Sequence, residues 1–102
     1  MKLLTATLIQ RFQKVGSQEE VRDPIIIAKY FTPDSCWSWY ATEYDADQQL
    51  FFGLVHGLDF ELGYFSLIEL QEARGSLGLP VERDLHFDEC QLSKIYPKHL
   101  ES

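Results

Sequence analysis

Residues 37–66 read WSWYATEYDADQQLFFGLVHGLDFELGYFS, and their pattern decides what kind of domain this chain builds. Across 37–44, Trp37, Trp39 and Ala41 alternate with Ser38, Tyr40, Thr42 and Tyr44, the period-two pattern of a strand whose side chains point to opposite faces in turn. The polar stretch 45–49, DADQQ, has the length of a hairpin loop, and 50–57, LFFGLVHG, supplies the returning strand. Residues 57–60 make the next turn, and ELGYFS returns as a further short strand. Consecutive antiparallel strands of this kind predict a sheet as the centre of the domain.

Working outward, Ser66 introduces LIELQEARG, and Glu69 completes the S-x-x-E pattern in which a hydroxyl and a carboxylate satisfy free N–H groups at a helix start. Leu67, Leu70 and Ala73 make the buried stripe of that helix, and Gly75 is expected just past its end. Upstream, Pro24 leads into IIIAKYF, a β-favouring run that the cluster 32–35, TPDS, should end. Residues 17–23 are polar and stop at Asp23-Pro24, a connecting loop. Thr5, then ATLIQRFQKV, then Gly16 predicts a short capped helix with Leu4, Leu8, Phe12 and Val15 on one stripe. Residues 81–87 should be extended. The stretch 88–102 is expected to be a partly ordered tail that docks through Leu92, Ile95 and Tyr96 and then frays. The fold predicted is α+β: one domain over 1–102, an antiparallel sheet of about four strands and two short helices.

Composition narrows the possible roles. A chain of 102 residues holds one core, and aromatics at 14% can fill it without disulfides. Cys36 and Cys90 are isolated, with no CxxC, which suits reduced packing residues. No apolar run is long enough to span a bilayer, and Gln10 and Arg11 interrupt the start too early for an export signal, so a cytoplasmic location is expected. The formal charge of −7 is concentrated: residues 43–89 hold eleven acidic side chains against Arg74 and Arg83 alone. Such a surface disfavours direct nucleic-acid binding.

The run FTPDSCWSWYATEYD, then LFFGLVHG, ELGYFSLIELQEARG and LGLPVERDLHF, resembles the small bacterial proteins grouped as domain of unknown function 2958, over about two thirds of the chain. The resemblance implies a compact single domain, often carried on plasmids, phages and other mobile elements and sometimes near DNA-modification or anti-restriction genes. It implies no activity.

Several constellations compete for function. The hairpin places large rings on both faces, and a sheet covered on one face only would leave some of them at the surface as anchors for a protein partner. Trp39, Tyr40 and Tyr44 are then the anchor candidates, with Glu43, Asp45 and Asp47 as charges at the rim. If one helix covered each face, the same rings would be ordinary core. The acidic block suggests a second role, an acidic DNA-mimic-like inhibitor of a DNA-binding enzyme. Arg74 and Arg83 stand alone in that block, either as struts paired with carboxylates or as receivers of an anionic ligand; a pocket at either would favour a small-ligand enzyme or binding protein. His56, His86, His99 and the two cysteines have no zinc-type spacing, so no metal and no cofactor is expected. Asp59, Glu61, Glu69, Glu72 and Cys36 form no recognisable catalytic pattern. The leading expectation is an accessory module that binds an as yet unknown protein partner, with no direct nucleic-acid or membrane contact.

Overall fold

The computed structural model describes residues 2–101. Helix α1 (Ala6–Val15) forms as its end residues dictate: the Thr5 hydroxyl accepts from the Leu8 N–H at 3.2 Å, and Gly16, at φ 70°, closes the helix by donating to the Phe12 carbonyl. The isoleucine run then divides into two strands, β1 (Ile25–Ile26) and β2 (Ala28–Phe31). β3 (Ser38–Asp45), β4 (Leu50–His56) and β5 (Phe60–Ser66) follow as the expected antiparallel meander. Helix α2 (Leu67–Glu72) starts where the Ser66 hydroxyl accepts from the Glu69 N–H at 2.9 Å.

Of the extended stretch expected over 81–87, only β6 (Glu82–Arg83) is a strand. It pairs with the outer edge of β2, giving a five-stranded antiparallel sheet in the order β5-β4-β3-β2-β6. A second sheet forms from β1 and β7 (Cys90–Gln91). Two 3-10 turns, Leu92–Lys94 and Pro97–Glu101, finish the described chain.

Both helices pack on the same side of the main sheet. Phe12, Leu8 and Val15 from α1 and Leu67, Leu70 and Ala73 in and beside α2 share one cluster with Tyr30, Phe51 and Phe65. The arrangement with one helix per face is therefore not adopted. The opposite face is covered instead by the C-terminal segment, where Leu92, fully buried, joins Ile26, Tyr40 and Leu54, with Phe87, Ile95 and Tyr96 packed alongside. Burial of several apolar side chains offsets the entropy of ordering a segment that has little regular structure of its own. Arg11 on α1 adds a bidentate link to Glu89, at 2.9 and 2.8 Å.

One irregularity sets the rest of the sheet. The register between β3 and β4 slips between Ala41 and Glu43, leaving Thr42 as the extra residue of a β-bulge. Gly53 makes the slip possible, because a Cβ there would lie 2.9 Å from the Tyr40 carbonyl carbon and 3.0 Å from Ala41 Cα, and closer still to the Tyr40 oxygen. The bulge frees the Thr42 carbonyl from the ladder, and Gln18, 6% exposed, fills the gap. Its amide donates to the carbonyls of Thr42 (2.8 Å) and Ile25 (2.9 Å), while its oxygen accepts from the Ile25 N–H (2.7 Å). The loop over 17–23 thus carries an internal polar bridge that its polarity alone does not reveal.

Candidate functional site

The bulge redistributes the aromatic rings. Simple alternation assigns Tyr40 and Tyr44 to one face, but the extra residue at Thr42 turns Tyr44 to the other, where its ring lies 4.7 Å from Phe51 and 6.0 Å from Phe12. Tyr40 is 7% exposed and packs under Phe87 with the Lys29 ammonium 5.5 Å from its ring, so it is a core residue and not a surface anchor. Trp39 is half-buried against the main cluster. Its indole supports Trp37, 42% exposed, with ring centroids 6.0 Å apart. Trp37 in turn lies against Gly57, where a Cβ would be 2.7 Å from Cε3 of the indole and closer still to Cζ3 and Cη2. Of the three rings named as anchors, none stands free. Glu43 is partly exposed and Asp45 and Asp47 are exposed, Asp45 at the end of β3 and Asp47 on the hairpin loop, where the Asp45 carboxylate accepts from the Asp47 and Gln48 N–H groups.

The exposed rings come from the neighbouring strands. On the face that the C-terminal segment covers only in part, Glu43 of β3 stands opposite Phe52 of β4, which stands opposite Tyr64 of β5. The next row on that face runs Tyr40, Leu54, Leu62. The segment around Leu92 shields Tyr40 and Leu54, whereas Tyr64 is 71% exposed and Leu62 44%. Phe52 and Tyr64 meet edge to face at 4.9 Å, an arrangement that holds both rings in place. Two shallow grooves flank this ridge and share Glu43, Phe52 and Tyr64 in their walls; one, of about 370 Å³, continues to Val21, Leu62 and His99, and the other, of about 440 Å³, continues toward Phe12 and Asp45. Glu43 has no ion-pair partner among the described residues. Alternation within β5 was the available signal for Leu62 and Tyr64; what the sequence did not disclose was where the C-terminal segment would stop covering their face.

The two arginines serve inside the fold. Arg74 donates to the carbonyls of Gln71 and Ala73 at the end of α2, and Arg83 donates to the Lys2 carbonyl at 3.2 Å. These contacts tie both guanidinium groups to backbone carbonyls. Helix α2 ends at Glu72 with Ala73 as its cap, so Gly75 does not stand just past its end as expected. Gly75 instead makes room for Asp34, whose carboxylate reaches across to accept from the N–H groups of Leu77 (2.7 Å) and Leu79 (3.1 Å), while the Ser76 hydroxyl donates to the Asp34 carbonyl at 2.6 Å. This clamp joins the turn after β2 to the loop before β6.

Cys36 and Cys90 are free thiols, and burial raises the Cys90 pKa, which keeps it in the unreactive thiol form. His56 stacks on Phe60 at 3.9 Å, and Phe60 on Tyr96 at 4.7 Å, a column that pins the end of the sheet to the C-terminal segment. Among the described residues, no three His, Cys, Asp or Glu side chains gather closely enough to hold a metal ion. No helix among them is long and apolar enough to cross a membrane. The open face offers rigid rings to an apolar surface and carboxylates to a cationic one.

No curated protein and no solved structure matches the chain. A family model does, described as protein of unknown function (DUF2958), and because it spans residues 2–99, nearly the whole domain whose sheet and exposed face are described above, the chain belongs to that family.

Proposed function

We propose that this protein is a recognition module, an accessory protein that binds another protein through the open part of its sheet. Phe52, Leu62 and Tyr64 supply the apolar contact, and Glu43, Asp45 and Asp47 supply the charged rim. The observation that carries this reading is the row Glu43, Phe52, Tyr64, which crosses three strands on a face whose next row is covered at Tyr40 and Leu54. A large ring left 71% exposed beside a second ring, with a carboxylate at the end of the row, has the form of an interface core and rim rather than of a packing remnant. The grooves beside it are shallow, which suits a protein surface better than a small molecule enclosed on all sides.

The test is affinity capture with the full-length protein and its Tyr64→Ala variant, after nuclease treatment, with thermal unfolding of both. The reading expects a near-stoichiometric partner that the variant loses while its unfolding temperature is unchanged, since the ring is mostly in water. Equal recovery of that partner by both proteins would refute the assignment of the open face. An enzyme of DNA metabolism held equally by both, released by salt and displaced by DNA, would favour the acidic-inhibitor reading instead.

A further inference from the structure

We infer that the outer edge of β5 accepts an extended, basic segment of the partner as a sixth strand of the main sheet. The inference rests on the recognition reading above and specifies the partner's backbone geometry and charge.

β5 ends the sheet order on one side, and among the described residues its seven, FELGYFS, pair only with β4. An edge strand presents unpaired N–H and C=O groups, and proteins usually guard such edges with proline, lysine, a bulge or a very short strand. At the opposite edge, β6 has two residues and is guarded by brevity. β5 is long, holds no proline or lysine, and pairs with β4 without a register shift. A Cβ built on Gly63, at its midpoint, meets nothing within 4 Å, so the helix face of the sheet is open beside this edge.

Side chains on both faces of this edge specify what would lie there. Toward the open face, Leu62 and Tyr64 offer apolar contact to alternate residues of an added strand. Toward the helix face stands Glu61, which shares a depression of about 230 Å³ with Asp59 and the exposed Trp37 indole. Two carboxylates beside an indole suit a lysine or arginine side chain by charge and by cation–π contact. The wider charge agrees: no Lys or Arg occurs between Lys29 and Arg74, so β3, β4, β5 and α2 carry acidic charge alone. A second copy of this chain would bring two such acidic regions together, which disfavours self-pairing at the same edge.

The experiment titrates isotope-labelled full-length protein with a nine-residue peptide alternating lysine and valine, beside a glutamate–valine peptide and a lysine–valine peptide N-methylated at alternate amides. Amide-resolved hydrogen exchange and resonance shifts report the site. Strand addition expects new protection along residues 60–66, no binding of the glutamate peptide, and about tenfold or greater weakening by N-methylation, which removes backbone pairing but keeps the charge. Glu61→Lys should weaken binding by about fivefold, an effect that salt reduces. Equal binding of the N-methylated peptide, perturbation confined to sites away from β5, or no binding at millimolar peptide would each overturn the inference. So would protection of the β5 edge in a dimer of the free protein. Capture of a partner that Tyr64→Ala loses, without protection of the β5 amides, would sink strand addition and leave the recognition reading standing.

Discussion

Gly53→Ala should be among the most damaging substitutions of its size in this protein, and its neighbour in register provides the control. Gly53 and Gly63 face each other across β4 and β5, so a side chain at either would point to the same face of the sheet. At 53, however, the new methyl group would come within 2.9 Å of the Tyr40 carbonyl carbon and 3.0 Å of Ala41 Cα, backbone atoms that cannot rotate away. β3 and β4 must separate at the bulge, next to the Thr42 hydroxyl bond to the Phe52 carbonyl (3.1 Å) and the Ile27 N–H bond to the Ala41 carbonyl (2.8 Å). Overpacking costs about 1–3 kcal/mol, and weakening two hydrogen bonds adds about 1 kcal/mol each, so we expect a loss of about 3–5 kcal/mol. Each kcal/mol lowers the melting temperature of a domain this size by about 5 °C, so Gly53→Ala should melt about 15–25 °C below the parent. Gly63→Ala meets no neighbour within 4 Å and should change stability by less than about 1 kcal/mol, favouring the folded state through the reduced freedom of the unfolded chain. Urea and thermal unfolding followed by circular dichroism measure both. A loss below about 1 kcal/mol for Gly53→Ala, or equal losses for the two variants, would refute the close approach at the bulge.

Three further outcomes follow from the same geometry. Gln18→Leu leaves the Thr42 and Ile25 carbonyls and the Ile25 N–H without their partner, and should cost about 2–4 kcal/mol in urea unfolding; a neutral result would mean that water replaces the amide. Gly75→Ala pushes on the Asp34 carboxylate, whose Oδ2 would lie 2.8 Å from the new methyl group, and should cost about 1–3 kcal/mol, with Asp34→Ala costing a similar amount and the double variant adding little, because both break one clamp. Burial holds the Tyr30 phenol above its usual pKa, with its hydroxyl donating to the Leu3 carbonyl at 2.8 Å. The unfolded chain then releases that proton first, so stability falls as pH rises above about 10, by at most about 1.4 kcal/mol per pH unit from this group, and Tyr30→Phe should flatten the slope seen in unfolding at successive pH values.

Much of this fold is decided over short distances and is readable without coordinates. Thr5 and Gly16 delimit α1, Ser66 starts α2, and alternation with polar turns lays out β3, β4 and β5, because caps, turns and strand periodicity depend on residues within a few positions of one another. Family membership is legible in the same run. The tertiary structure alone decided the rest. Gly53 admits the Tyr40 carbonyl only when β3 lies against β4, and the resulting bulge sends Tyr44 into the core and frees the carbonyl that Gln18 binds. β1 leaves the main sheet because β7, some 65 residues later, pairs with it. Tyr40 is buried and Tyr64 exposed, although both are tyrosines on the same face of the sheet, because the segment around Leu92 reaches one row and stops short of the next. Which rings remain for a partner is thus a property of long-range coverage, fixed by where the two ends of the chain meet the sheet and not by the pattern within any strand.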